Sequence, residues 1–239
     1  MKCLDYALEY KTNQIRNIRY PVIIVAAGTA SRMKGIDKIS AELCGMPVIV
    51  HTVCAFDKCD IISEIIVVTR KDKISDYSAI LQNYGFAKNV AVVEGGACRE
   101  ESVLSGIKAL GGAYEKVLVH DGARPLIAEE VILRVCEALE SNDSVTCGVK
   151  MKDTIKVVNE DKQVVKTLQR DFLISIQTPQ GVSVESFLKS ADKNDLARFT
   201  DDTSVVEAVG ALTVVVDGDY KNIKITTPED IKLAEAYLS

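Results

Sequence analysis

Short apolar runs rich in branched side chains recur along the chain. The first occupies residues 21–27 (PVIIVAA), and others of this type occupy residues 64–68, 90–93 and 116–120. Runs without polar alternation are typical of strands that are buried on both faces of a sheet. The pattern therefore predicts a parallel sheet as the centre of the fold.

Segments with helical spacing separate these runs. Val103, Ile107 and Leu110 fall on one face of a helix, and residues 127–140 form a second amphipathic segment that precedes an apolar run at 144–149. Strands that alternate with helices indicate βαβ units joined by right-handed crossovers. The expected fold class is α/β, a Rossmann-like and mostly parallel sheet flanked by helices.

The pattern changes between residues 150 and 179. Two short apolar segments, 154–158 and 164–168, flank the polar stretch 159–162. This arrangement predicts a β-hairpin arm over about residues 151–172, which projects from the sheet because no helix is available to cover it. An isolated hairpin is only marginally stable in water. We therefore expect the arm to be buried against a second subunit in a homodimer.

The last part of the chain returns to the sheet. Residues 212–216 form a further apolar run, and residues 222–226 are interpreted as a strand that carries one lysine, Lys224. A final helix should begin after Thr227, with Pro228 at its first position and acids in its first turn. The sequence therefore predicts a further strand and a terminal helix beyond the arm.

Composition is that of an ordinary globular protein. Of 239 residues, 47% are hydrophobic and 26% charged, and the formal net charge is −5. A negative chain is not expected to attract nucleic acid or an anionic membrane, so any phosphate ligand needs a local site. No repeat or low-complexity linker divides the sequence. We expect one domain over residues 1–239, in which residues 1–20 are an N-terminal extension.

Cysteine, histidine and hydropathy patterns exclude several classes of protein. No apolar run reaches the roughly 20 residues that span a bilayer, and the N-terminus lacks the apolar core of a signal peptide, which predicts a cytoplasmic protein. The seven cysteines include no Cys-x-x-Cys pair, so neither a disulfide framework nor a zinc cage is expected. Two histidines argue against a multi-histidine metal site and a Ser-His-Asp hydrolase.

The loop that follows the first predicted strand is the first candidate site. Small residues at 26–28 let backbone N–H groups approach a phosphate at the carboxyl end of a parallel strand. The segment 26–38 matches neither a P-loop nor a dinucleotide fingerprint. It does contain Arg32 and Lys38, which can converge on one polyphosphate. The alternative is a tight turn with two solvated cations.

Asp121 is the second candidate, because it lies at the end of a buried strand. One carboxylate together with substrate phosphates is the usual way in which Mg²⁺ is held, and the alternative is a cap for the following turn. The preceding His120 is interpreted as a strand-end residue. The glycine pair Gly95-Gly96 and the segment 200–202 each precede a predicted helix, and by themselves both are ordinary helix starts.

Taken in order, the motifs of residues 21–238 resemble those of the 2-C-methyl-D-erythritol 4-phosphate cytidylyltransferase family, one group of the nucleotidyltransferases that make activated sugar and polyol nucleotides. One such motif is weak evidence, whereas the ordered set is specific. The set comprises Ala26-Ala27-Gly28 with Arg32-Met33 and Lys38, Gly95-Gly96 with Arg99, Ser102-Val103 and Gly106, residues 120–125 (HDGARP), Asp153-Thr154, Arg170, Thr178-Pro179-Gln180, Thr200-Asp201-Asp202 and residues 222–230.

The resemblance implies a Mg²⁺-dependent cytidylyltransferase with the fold of nucleotide-diphospho-sugar transferases. Such an enzyme transfers CMP from CTP to 2-C-methyl-D-erythritol 4-phosphate in non-mevalonate isoprenoid biosynthesis, giving 4-diphosphocytidyl-2-C-methyl-D-erythritol and pyrophosphate. The implied catalytic residues are Arg32, Lys38, Arg170 and Lys224, and the implied metal ligand is Asp121. The implied substrate-binding residues are Ala26, Ala27, Gly28, Gly96, Ala97, Ser102, Gly122, Arg124, Thr154, Thr178 and Thr200.

The resemblance also implies a role for the catalytic and the substrate-binding residues. Arg32 and Lys38 stabilise charge on the α-phosphorus, while Lys224 and Arg170 position the acceptor phosphate, the latter from an arm that reaches the other subunit's site. The small residues and Ser102 border the cytosine. Because a phosphate monoester dianion is itself the nucleophile, no Ser-His or Cys-His pair is needed.

Other functions remain open at this point. The same nucleotide half of the site suits a cytidylyltransferase for another polyol phosphate, such as ribitol 5-phosphate, or a transferase for a different sugar phosphate or base. A non-catalytic nucleotide-binding protein has no need of the full set of Arg32, Lys38, Asp121 and Lys224. A nicotinamide dehydrogenase is disfavoured because the glycine fingerprint is absent.

Overall fold

The computed structural model describes residues 18–28 and 37–239. Within these residues the strands are β1 (Tyr20–Val25), β2 (Glu42–Leu43), β3 (Met46–Pro47), β4 (Ile62–Thr69), β5 (Asn89–Glu94), β6 (Lys116–Asp121), β7 (Ser144–Lys150), β8 (Lys156–Val158), β9 (Val164–Thr167), β10 (Ile174–Ser183) and β11 (Thr213–Asp217). The α-helices are α1 (Val48–Asp57), α2 (Ile74–Gln82), α3 (Arg99–Ala109), α4 (Glu129–Ser141), α5 (Val184–Ala191), α6 (Asp202–Glu207) and α7 (Pro228–Leu238).

The central sheet has the strand order β11-β7-β10-β6-β1-β4-β5. Strand β1 pairs in parallel with β4 and β6, β4 pairs in parallel with β5, and β7 pairs in parallel with β11. Strand β10 is antiparallel to both of its neighbours, β6 and β7. In the register of the sheet Val25 is opposite Asp121, so β1 and β6 end at the same edge.

Helices cover both faces because neighbouring side chains of a strand point to opposite sides. Val22 and Ile24 of β1 face the core cluster that includes α1 and α4. Ile23 faces the second cluster, to which α3 contributes Val103 and α5 contributes Phe187. The predicted α/β class is confirmed.

Two parts of the sheet differ from the sequence-based prediction. Strand β10 was not predicted, because its second half is polar and its pairing partners are distant in sequence. The strand predicted at 222–226 is wrong, since these residues form an irregular segment. The N–H of Ile225 donates to the carbonyl of Ala123 at 2.8 Å, which attaches the segment to the loop after β6 instead of to the sheet.

The predicted hairpin is present as β8 and β9, which pair with each other in a separate antiparallel sheet. Large apolar side chains on it face solvent: Val165 is 66% exposed and Phe172, just beyond β9, is 82% exposed. Apolar surface of this kind on a hairpin indicates an interaction surface. Of the predicted N-terminal extension, residues 1–17 lie outside the described part of the chain.

Gly106 allows α3 to approach β1, and its replacement by alanine should destabilise the fold. A Cβ there would lie 2.6 Å from Cγ2 of the fully buried Ile23. The resulting overpacking, about 1–3 kcal/mol, exceeds the gain of about 1 kcal/mol from helix propensity. Urea unfolding of Gly106→Ala should show a loss of up to about 2 kcal/mol, whereas the exposed control Lys108→Ala on the same helix changes by less than about 0.5 kcal/mol. A more stable Gly106→Ala protein would contradict this packing argument.

Candidate active site

A cleft of about 300 Å³ opens at the carboxyl ends of β1 and β6. Ligands of open α/β sheets bind at this edge. Residues predicted from separate parts of the sequence meet there: Ala26, Ala27, Gly28, Lys38, Gly96, Ala97, Ser102, Asp121 and Lys224. Arg32, the second cation predicted for the first loop, lies outside the described residues.

The wall of the cleft after β5 is shaped by hydrogen bonds from α3. Ser102 Oγ accepts from the N–H of Gly96 at 3.2 Å and donates to the carbonyl of Cys98 at 2.9 Å. Glu101 Oε2 accepts from the N–H of Ala97 at 2.7 Å. A Cβ at Gly96 would lie 2.3 Å from Cβ of Glu101, so a larger residue requires movement of the loop. Ser102 thus holds the shape of the wall in addition to lining the cleft.

Asp121 ends β6 inside the cleft and is 6% exposed. Its Oδ2 lies 2.9 Å from Lys224 Nζ and 3.2 Å from Arg124 Nε. Its Oδ1 lies 3.5 Å from Arg99 Nε. Burial by itself would raise the pKa of this carboxyl, but the charges of Lys224, Arg99 and Arg124 outweigh burial and hold the pKa well below its usual range. Asp121 is therefore an anion at neutral pH.

Arg99 belongs to this cluster although the sequence analysis gave it no role. Its guanidinium donates two hydrogen bonds to the carboxylate of Asp202, at 2.8 and 2.7 Å. Asp202 is fully buried at the start of α6, where Asp201 caps the helix by accepting from the N–H of Ser204. The segment 200–202, which is predicted as a helix start, thus also supplies the buried carboxylate that binds Arg99. The sequence pattern around residue 202 did not indicate this contact.

A second cavity of about 360 Å³ adjoins the cleft. The two cavities share Arg99, Asp121 and Lys224. Three further predicted residues line the second cavity: Arg124, Thr178 and Thr200. The ammonium of Lys224 and the carboxylate of Asp121 therefore stand at the junction between two spaces that can hold two different ligands.

The arm places its predicted residues elsewhere. Thr154 and Arg170 line a third cavity, of about 450 Å³, which is formed by residues of the arm itself. Arg170 Nη1 donates to the carbonyl of Lys152 at 2.7 Å. Neither residue is among those that line the cleft or the second cavity of the same chain.

Gly122 and His120 hold the carboxyl end of β6 in place. The N–H of Gly122 donates to the carbonyl of Val25 at 2.9 Å, and the carbonyl of Gly122 accepts from Thr52 Oγ1 at 3.0 Å. His120 is fully buried. Its Nε2 lies 3.1 Å from the carbonyl oxygen of Arg124. Because a carbonyl can only accept a hydrogen bond, Nε2 carries the proton of the neutral ring, and Nδ1 is an acceptor. The prediction of a structural histidine agrees with these contacts.

Protonation of His120 should destabilise the protein in mildly acidic solution. Burial lowers the pKa of His120 from 6.5 to about 4. Between these values the unfolded chain binds a proton that the folded chain does not, so stability falls as pH falls, by up to about 1.4 kcal/mol per pH unit. Urea unfolding between pH 6.5 and 4 measures this slope. The slope should be shallower in His120→Gln, and an identical slope in both proteins would show that His120 is not its source.

The donor set for a metal is limited. Among the described residues no group of three or more His, Cys, Asp or Glu side chains is arranged to hold an ion. Asp121 is the predicted metal ligand that faces the cleft, and a Mg²⁺ ion there would need further oxygen ligands from a bound substrate.

The helices of the described residues are too short or too polar for any of them to cross a membrane.

Comparison with known proteins identifies the family. The family model for 2-C-methyl-D-erythritol 4-phosphate cytidylyltransferase matches residues 20–239. A relative with that name from Bacillus cytotoxicus is 41% identical over 222 residues, which are 92% of this chain and 97% of the relative. A relative of the same name from Caldanaerobacter subterraneus is also 41% identical, over 221 residues, covering 90% of this chain and 97% of the relative.

Solved structures agree with the sequence comparison. The structure of 4-diphosphocytidyl-2C-methyl-D-erythritol synthase from Anaerococcus prevotii matches with a TM-score of 0.82 at 36% identity, over 95% of this chain and 98% of that chain. A 2-C-methyl-D-erythritol 4-phosphate cytidylyltransferase from Thermus thermophilus matches with a TM-score of 0.73 at 26% identity, over 92% and 98%. Together with the cleft at the end of β6, these matches show that the chain belongs to the 2-C-methyl-D-erythritol 4-phosphate cytidylyltransferase family of nucleotidyltransferases.

Proposed function

We propose that the enzyme transfers CMP from CTP to 2-C-methyl-D-erythritol 4-phosphate and releases pyrophosphate. The observation that carries this proposal is the pair of adjoining cavities that share Arg99, Asp121 and Lys224. Two substrates that react by displacement at phosphorus must meet in line, and two cavities that join at charged groups provide such a meeting point.

The cleft suits the nucleotide. Its small residues at 26–28 and the glycine at Gly96 leave room for a base beside the backbone, and Lys38 supplies positive charge on the same cleft. Arg32 is the second cation proposed for the triphosphate. Cations that are fixed before the reaction stabilise the charge that develops on the α-phosphoryl oxygens, which is the main contribution a protein makes to this chemistry.

The second cavity suits the polyol phosphate. Lys224 is 39% exposed at its side chain and is directed to Asp121, so its ammonium can bind an incoming phosphate without leaving the junction. Thr200 offers a hydroxyl group along the same cavity. The hydroxyl of Thr178, which also lines it, accepts from the N–H of Asp121 at 3.1 Å and donates to His120 Nδ1 at 3.0 Å, so it holds the wall of the cavity in place. The phosphate dianion is the nucleophile, and the residues around it hold it in line and shield its charge.

Mg²⁺ would be held by Asp121 as the protein ligand, and oxygens of the bound triphosphate would supply the remaining ligands. The carboxylate is ionised, faces the cleft and belongs to the oxygen donors that Mg²⁺ prefers. When bound, the ion neutralises charge on the phosphates. The role of Asp121 is to place its own carboxylate, as an anionic metal ligand, at a fixed position among the cationic side chains.

The arm is the proposed dimer contact. Its exposed apolar side chains, including Val165 and Phe172, need a partner surface. In the dimer Thr154 and Arg170 would act at the acceptor cavity of the other subunit, which accounts for their distance from the cleft of their own chain. Sedimentation at working concentration should show a dimer of 26.1 kDa chains, and a monomer alone would contradict this.

Pyrophosphate release tests the reaction. Purified protein with Mg²⁺ and CTP is given either 2-C-methyl-D-erythritol 4-phosphate or ribitol 5-phosphate. Release with the first alone supports the proposal. Release with the second alone keeps the nucleotide half and overturns the acceptor half, whereas CTP binding without release with either acceptor favours a non-catalytic nucleotide-binding protein.

A further inference from the structure

Tyr77 makes a hydrogen bond to the residue that directly precedes Lys38. The tyrosine lies on α2, and its side chain is in the core, with 2% of the residue exposed. Its hydroxyl donates to Asp37 Oδ2 at 2.8 Å. The two residues are 40 positions apart, so the bond joins α2 to the turn that carries the cleft lysine.

Asp37 organises the backbone on both sides of Lys38. Its other carboxylate oxygen, Oδ1, accepts from the N–H of Ile39 at 3.1 Å, and its carbonyl accepts from Ser40 Oγ at 3.4 Å. The peptide groups that flank Lys38 are thus fixed relative to the Asp37 carboxylate. Because Tyr77 holds that carboxylate, it also limits the directions in which the lysine can point.

The same connection between β4 and α2 contacts the other side of the cleft. Thr69, the last residue of β4, donates from Oγ1 to the carbonyl of Ala26 at 3.4 Å. Ala26 and Lys38 both line the cleft. One stretch of chain, Thr69 to Tyr77, therefore contacts both the small-residue wall and the turn that carries the lysine.

The phenol remains a donor throughout the neutral range. Burial, followed by the hydrogen bond to Asp37, raises the pKa of Tyr77 far above its usual value. A protonated hydroxyl beside a carboxylate forms a charge-assisted hydrogen bond, which is stronger than a neutral one. The contact is accordingly suited to keeping the turn in a single arrangement.

We propose that Tyr77 is a positioning residue for Lys38 and acts through Asp37. The proposal rests on the proposed function, in which Lys38 stabilises the α-phosphoryl group. A lysine that is fixed before the reaction acts on the transition state more than on bound substrate, so loss of its support should lower kcat and leave KM for CTP nearly unchanged.

The test is Tyr77→Phe, which removes one hydroxyl and keeps the ring in the core. We expect kcat to fall about tenfold, with KM for CTP within about twofold of wild type. Tyr114→Phe is the matched control, because Tyr114 donates to a carboxylate oxygen of Glu64 at 2.7 Å outside the residues that line the cleft. It should leave kcat unchanged. Equal kcat in all three proteins overturns the proposal.

A double variant separates positioning from a general structural effect. In the Lys38→Ala background, Tyr77→Phe should cause no further loss of kcat, because the residue through which it acts is gone. A tenfold loss in that background as well would overturn the proposal.

A second readout does not depend on turnover. Lysine side chains of the folded protein are acetylated at limiting acetic anhydride, and Lys38 is compared with the exposed Lys189 on α5 by peptide mass spectrometry. Tyr77→Phe should change the Lys38 to Lys189 labelling ratio, whereas Tyr114→Phe should not. An unchanged labelling ratio contradicts the proposal, whether or not the wild-type enzyme is active. Inactivity of the wild-type enzyme with both acceptors would reject the proposed function, and this is a separate result.

Discussion

Lys38→Ala enzyme is expected to lose about 10²–10³ in kcat, equivalent to roughly 3 kcal/mol of transition-state stabilisation. Lys38 lines the cleft, and its charge is proposed to act on the α-phosphoryl group. Steady-state pyrophosphate release measures the loss. The fold should change little, because substitution of a half-buried loop residue outside the core has a small effect on unfolding.

Matched variants make the Lys38 result specific. Lys189→Ala removes an exposed lysine of α5 outside the cleft and should leave kcat within about twofold of wild type. Lys38→Arg keeps the charge but changes its geometry, and it should recover only part of the rate. Wild-type turnover by Lys38→Ala enzyme would remove this lysine from the mechanism.

Asp202→Ala should have the largest effect on stability, a loss of about 3–5 kcal/mol in the free energy of unfolding. The fully buried carboxylate accepts two short hydrogen bonds from Arg99. Its removal leaves the guanidinium of Arg99, whose side chain is only 23% exposed, with acidic partners that are more distant, at 3.5 Å or more. A buried charge without a close partner is costly, whereas a buried pair contributes little net stability. Urea unfolding at neutral pH measures the loss.

The pair is tested by a double-mutant cycle with Arg99→Met. Removing both charges should restore part of the stability that Asp202→Ala loses, because no uncompensated ion remains. The double variant is therefore expected to be more stable than Asp202→Ala alone. Additive losses would show that the Asp202 carboxylate stabilises the protein chiefly through its place in the first turn of α6, where a negative charge is favoured by the helix dipole.

Apolar runs were sufficient to predict most of the sheet, since a strand buried on both faces has to be apolar along its whole length. Strand β10 was missed for the opposite reason. Its polar residues, such as Gln177 and Gln180, are buried, and they are satisfied by partners far along the chain. Gln180, for example, contacts Thr146 and Asp201. Segment 222–226 had a strand-like pattern, but its backbone bonds to the loop after β6.

The candidate site was predictable where motifs follow strands. Asp121 and the small residues at 26–28 lie at strand ends, and strand ends meet at one edge of a parallel sheet. The tasks of Arg99 and Tyr77 were not predictable, because each is defined by a contact with a residue far away in sequence. Ser102 is predicted to border the base, whereas its hydrogen bonds to Gly96 and Cys98 depend on the conformation of the loop, which the sequence pattern does not specify.

The arm is inserted between two neighbouring strands of the sheet, β7 and β10. Lys150, the last residue of β7, is already paired with Ile174, the first residue of β10. The chain thus leaves and re-enters the sheet between two adjacent residues, at the edge where β6 ends. Residues 151–173 can be lengthened, shortened or exchanged without altering strand register. If Thr154 and Arg170 act on the acceptor as proposed, a change of acceptor can arise within this segment while the sheet and the cleft stay as they are.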